Sequence, residues 1–126
     1  MKHKILSKNA PIPIGPYSQA IRSGNMLYIS GQIAIDPQTN LLVNSNIIDE
    51  ISMVMENLKN ILNESNASLD DIVKCSIFLS DISLFDTINN VYGGYFNEPY
   101  PARETIEVSK LPKNVNIEIS AIAICK

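Results

Sequence analysis

The sequence predicts an α+β fold in one domain, residues 1–126, built as a single mixed β-sheet with two helices on one of its faces. Three observations lead there. A length of 126 residues suits one hydrophobic core and is too short for two. Apolar residues recur at three- and four-residue steps in two segments only. The other apolar segments alternate with polar residues, as strands do, and stand as hairpins before and after the helices.

The opening is irregular, because Pro11, Pro13 and Pro16 each disfavour helix at the preceding residue and remove a backbone donor. Ser18–Arg22 and Met26–Ser30 read as two strands around the turn Ser23, Gly24 and Asn25. A third strand is expected over Gln32–Ile35, ended by the breaker cluster Asp36 to Asn40. Ile47, Ile51, Val54, Met55, Leu58, Ile61 and Leu62 then form one helical stripe, with Glu50, Ser52, Glu56, Lys59 and Asn60 expected on the polar side. Asn46 suits its N-cap, and Asn66 suits the left-handed residue that follows many helices.

Val73, Cys75, Ile77 and Leu79 alternate with polar residues, which predicts a strand over Ile72–Leu79. A second helix is expected over Ser83–Phe96, weakened by Gly93 and Gly94. Asn97–Pro101 breaks it. Glu104–Val108 alternates as a strand, Leu111–Asn114 makes a turn, and Val115 to Ala123 alternates as a long last strand. The expected order is three strands, helix, strand, helix, two strands.

Composition narrows the chemistry. Hydrophobic residues make up 45% and charged residues 18%, which suits a folded core and not a disordered chain. No apolar run approaches the roughly 18 residues of a membrane span, and no signal-peptide hydrophobic region follows Lys2 to Lys4, so a cytoplasmic protein without membrane contact is expected. The net charge of −3 and the lack of a lysine or arginine run argue against nucleic acid. One histidine and no CxxC pair leave no set of zinc ligands, and no glycine-rich phosphate loop is present, so neither metal nor cofactor is expected. Cys75 and Cys125 are expected as free buried thiols, with a disulfide as the alternative. His3, near the terminus, is poorly placed for a catalytic triad, which leaves carboxylates, hydroxyls, lysines and arginines.

Only two of the ten basic residues are arginines. Arg103 follows the stiff segment Pro99-Tyr100-Pro101-Ala102, so it reads either as a clamp for a carboxylate or as a surface arginine at a strand start. Glu118 lies in a strand of Val, Ile and Ala; on the residues alone, a solvent face shared with Asn116 and Ser120 is the favoured reading, and a paired functional carboxylate is the other. Tyr17, in a turn entering a strand, reads as a ligand contact or a loop bridge. Gly31 reads as a bulge or as a point of close backbone approach, and Asn89 as a cleft residue or as one more asparagine among 14.

Taken together, Gly15-Pro16-Tyr17-Ser18-Gln19-Ala20, Ser30-Gly31-Gln32, Asp71-Ile72-Val73-Lys74, Asn89 with Tyr92 and Phe96, Pro101-Ala102-Arg103, Leu111-Pro112 and Ile117-Glu118-Ile119 resemble the RidA (YjgF) family in order and spacing. The family comprises reactive-intermediate (enamine/imine) deaminases, and the resemblance covers nearly the whole chain. It implies a chorismate-mutase-like fold and a homotrimer with ligand clefts between subunits. The implied activity is metal-independent hydrolysis of 2-imino acids, such as 2-iminobutanoate and 2-iminopropanoate from PLP-dependent dehydratases, to 2-keto acids and ammonia. By position, Arg103 matches the carboxylate clamp and Glu118 the residue that helps activate water. Tyr17, Gly31, Asn89, Ala102 and Thr105 match residues lining the cleft, with Thr105 where many relatives carry cysteine. The competing reading within the same resemblance is a non-enzymatic trimeric ligand-binding or chaperone-like protein, or an RNA-cleaving translation inhibitor.

Overall fold

The most regular helical stripe of the sequence forms α1, Ile47–Glu64. Asn46 Oδ1 accepts a hydrogen bond from the Asp49 N–H, which caps its start as the sequence predicts. Asn66 beyond its end takes a positive φ of 54°. The computed structural model describes residues 1–126, and around α1 it places β1 (Lys2–Ile5), β2 (Ala20–Ser23), β3 (Met26–Gln32), β4 (Ile72–Leu79), α2 (Phe85–Gly93), β5 (Ala102–Glu107) and β6 (Ile117–Ile124).

The six strands form one sheet in the order β1-β2-β3-β6-β4-β5. Every neighbouring pair is antiparallel except β4 and β5, which are parallel. Because β3 and β4 both run antiparallel to β6, they are parallel to each other, and α1 is the crossover between them. α2 is the crossover from β4 to β5. Both crossovers step across the sheet in the same direction, and right-handed connections therefore set both helices on the same face. Under them lies the core, in which Leu27, Ile51, Met55, Leu58, Ile77 and Ile119 are wholly buried. The opposite face carries no helix. There Tyr28, Lys74, Ser76, Ser120 and Ile122 border a shallow cavity of about 330 Å³. No helix is long and apolar enough to cross a membrane.

Three elements differ from expectation. The expected strand over Gln32–Ile35 does not form: β3 instead continues to Gln32 through a register shift, and Ile35 makes only an isolated bridge to Leu42. The carbonyls of Ile33 and Ile35 turn to α1, where Asn57 Nδ2 donates to them at 3.3 and 3.0 Å. The third early strand is β1, which pairs at the sheet edge with its side chains largely exposed and so leaves no apolar alternation to read. Glu50, expected on the polar side of α1, is wholly buried. Its carboxylate accepts from Asn116 N at 2.8 Å, Asn116 Nδ2 at 2.8 Å and Ile117 N at 3.2 Å, which ties α1 to the start of β6. The second helix is also shorter than expected, ending at the glycine pair. Both cysteines are free and buried.

Candidate active site

Arg103 stands near the start of β5, at the sheet edge, directly opposite Cys75 of β4. Cys75 points into the core, so Arg103 lies on the helix-covered face. The guanidinium is held from three sides by α2. Nη2 donates to Asn89 Oδ1 at 2.7 Å, and Cζ lies 5.0 Å from the Tyr92 ring centroid and 5.6 Å from that of Phe85. Phe85, Asn89 and Tyr92 are spaced four and three residues apart, so one helix face presents all of them. Arg103 has no carboxylate partner, since the one ion pair of the chain joins Lys74 and Glu104 at 3.1 Å. Arg103 borders an open cavity of about 320 Å³ with Tyr100, Pro101 and Gly93. Burial pushes the Cys75 thiol and the Tyr92 hydroxyl up, so both stay neutral beside the arginine. The arrangement presents a single preorganised positive charge to an incoming anion. Thr105, two residues along β5 on the same face, has a buried Oγ1 without a partner.

Glu118 belongs to β6 opposite Phe78, on the helix-free face. Gly31 sits in the register shift between β3 and β6, and the Glu118 carboxyl lies across its backbone. A Cβ at position 31 would stand 2.7 Å from Glu118 Cδ and 3.0 Å from Cγ, so the side chain occupies the space that glycine leaves. Burial raises the Glu118 carboxyl above the usual carboxylate range. Tyr17 borders the same cavity, of about 340 Å³, and its approach turns at Gly15, whose φ of 137° favours glycine. The loop before it is pinned by Gln19, wholly engaged with Ser7 N, Ser7 O, Ala10 O and Pro11 O.

The candidate residues therefore assemble into two half-sites. Arg103, Asn89 and Thr105 gather at the β5 edge on one face; Tyr17, Gly31 and Glu118 gather on the other. Within one chain Arg103 and Asn89 line one cavity and Tyr17, Gly31 and Glu118 another, while Thr105 lines neither. Ala102 points away from Arg103 and is exposed. The sequence reading omitted Phe85 and Tyr100 beside Arg103, and Ile12, Ile14, Pro112 and Lys113 beside Glu118. Helical spacing would have found Phe85 from Asn89, Tyr100 lies in the stiff segment before Arg103, and Pro112 lies in the Leu111-Pro112 motif; nothing local marks Ile12, Ile14 and Lys113.

Known proteins resemble the chain over nearly its whole length. The family model described as endoribonuclease L-PSP matches residues 7–125. A RutC family protein of Pyrococcus horikoshii is 52% identical over 123 residues, covering 98% of each chain. A 2-iminobutanoate/2-iminopropanoate deaminase of Dermatophagoides farinae is 42% identical over 98% of this chain and 96% of its own. Among solved structures, YyfA of Yersinia pestis, from the conserved Rid protein family, superposes with a TM-score of 0.96 at 43% identity, covering 98% of this chain and 99% of its own.

Proposed function

Because the chain belongs to the endoribonuclease L-PSP family, also called RidA or YjgF, we propose that it is a metal-independent 2-imino acid deaminase, releasing 2-keto acid and ammonia. One observation carries this reading. The chain holds an unpaired guanidinium and a carboxylate of raised pKa at two open half-sites on opposite faces of one sheet. Each half supplies a group that imine hydrolysis needs, and neither suffices alone. A second copy that sets its β5 edge and α2 against the Glu118 cavity joins them, and the proposal accordingly includes a homotrimer with clefts between subunits.

In such a cleft Arg103 takes the substrate carboxylate in parallel N–H···O bonds and fixes the imine carbon. Water adds to the carbon of the protonated imine while its proton passes to Glu118 and the C=N electron pair moves to nitrogen. Glu118 returns the proton to nitrogen. The C–N bond then breaks as the C=O bond forms, and the hydroxyl proton ends on ammonia as ammonium. Burial raises the Glu118 pKa, which makes its carboxylate a stronger base than a free one, and general acid–base help is typically worth about 10²- to 10⁴-fold. The family description names an RNA-cleaving activity, but a chain of net charge −3 with two arginines offers few phosphate contacts. The test is ammonia and keto-acid release from imines generated in situ, with light scattering on the same sample. Faster release than the uncatalysed rate from a trimer supports the reading; a monomer or an unchanged rate overturns it.

A further inference from the structure

We propose that the Glu118 cavity is a side-chain pocket that selects 2-imino acids with long apolar side chains over the three- and four-carbon ones. This rests on the deaminase reading above and names the substrate class of that same site.

In the single chain, before a second copy closes over it, the cavity of about 340 Å³ is larger than a small imino acid requires. With about seven non-hydrogen atoms at no more than a water-like ~30 Å³ each, 2-iminobutanoate fills on the order of 200 Å³ at most. Space remains for several further methylenes. The walls around Glu118 are Ile12, Ile14, Ile33, Ile35 and Pro112. Ile12 is 60% exposed and Ile14 77% exposed in the single chain, an unusual place for branched apolar side chains unless something covers them. Two of the five polar side chains that border the cavity are engaged elsewhere. Gln19 makes four hydrogen bonds to the 7–11 loop, and Gln32 Nε2 donates to Ser30 O. Glu118, the Tyr17 hydroxyl and Lys113 remain. The first two flank the reacting carbon in the proposed geometry, which leaves the isoleucine wall facing the substrate side chain. The Gln19 bonds also hold that wall in place before the ligand arrives, so closing over an apolar chain needs little ordering of the loop.

Two series test this on the full chain. The first is kcat/KM for imines generated from alanine, 2-aminobutyrate, norvaline, norleucine and aspartate. The second is calorimetric affinity for the matching 2-keto acids, which reads the pocket without chemistry. Affinity and kcat/KM are expected to rise about three- to fourfold per added methylene. Ile12→Ser combined with Ile14→Ser is expected to flatten both slopes. Affinity that rises with chain length but no hydrolysis of any imine overturns the deaminase reading and leaves the pocket standing. Level or falling values along the series overturn the inference, as does a preference for the aspartate-derived ligand through Lys113. Loss of the wild-type oligomer in the isoleucine variant also overturns it, since those residues then belong to the subunit interface.

Discussion

Gly31→Ala isolates the placement of Glu118. Position 31 is outside the positive-φ region, so alanine is compatible with the backbone there. The added methyl meets one neighbour, the Glu118 side chain, most closely at Oε2 and at 2.7 Å from Cδ and 3.0 Å from Cγ. Carbon atoms in contact prefer about 3.5–4.0 Å, so Glu118 must withdraw by about 1 Å. A flexible, half-buried side chain does this at a modest cost, roughly 0.5–1.5 kcal/mol for an off-rotamer torsion. The chemical cost is larger, because about 1 Å of misplacement of a reacting group costs on the order of a hundredfold in rate. The expected result is kcat for imine hydrolysis down about a hundredfold, keto-acid affinity within a few-fold of wild type, and a fold that is nearly as stable. In a Glu118→Gln background the same methyl should cost little further rate, since the group it displaces no longer transfers protons. If Gly31 instead serves close approach of the substrate, the loss appears in KM and in keto-acid binding, and it persists in the Glu118→Gln background. That pattern, or wild-type turnover by Gly31→Ala, would refute the placement.

Four further outcomes are expected. Arg103→Lys keeps the charge but loses the planar fork held by Asn89, Tyr92 and Phe85; one lost charge-assisted hydrogen bond of about 1.5–3 kcal/mol lowers kcat/KM roughly ten- to a hundredfold, and wild-type hydrolysis by an intact oligomer would remove Arg103 from the site. Glu118→Gln should lower kcat with keto-acid binding nearly intact and should also raise stability at neutral pH: burial raises the folded-state pKa, so the folded state binds more protons and wild-type stability falls as pH rises from the ordinary carboxylate range through that raised value. Denaturant midpoints for the pair should converge below the ordinary range; a constant difference at every pH would contradict the assignment. Glu50→Ala leaves Asn116 N and Ile117 N without their partner and should cost about 2–4 kcal/mol in chemical denaturation, whereas a surface glutamate would cost under about 0.5. Iodoacetamide should inactivate slowly, because Cys75 and Cys125 are buried and Thr105 offers no thiol; rapid inactivation blocked by a keto acid would place a reactive cysteine in the cleft.

Local patterns of the sequence specify most of the elements, because side-chain periodicity and caps are short-range properties. The stripe from Ile47 to Leu62 and the Asn46 cap define α1, and the alternation of Cys75, Ile77 and Leu79 defines the buried face of β4; Val73, read onto that face, is instead exposed, because the ladder to β6 shifts register between Ile72 and Lys74. The resemblance of the motifs around Tyr17, Gly31, Arg103 and Glu118 also reaches the family from the chain alone. Periodicity says nothing of pairing partners, however. β1 is held by its ladder to β2 and by Ile5 against the core, and its other side chains are exposed and carry no signal. Glu50 reads as a polar-face residue until the packing of α1 on β6 brings two backbone N–H groups to its carboxylate. Even the site depends on distance in space. Which face of the sheet Arg103 and Glu118 occupy follows from strand register, since each residue's side alternates along a strand and pairing fixes the phase. Only with that register does it emerge that Glu118 rests on the bare backbone of Gly31, 87 residues away in sequence, and that the arginine and the glutamate of one chain stand in separate cavities.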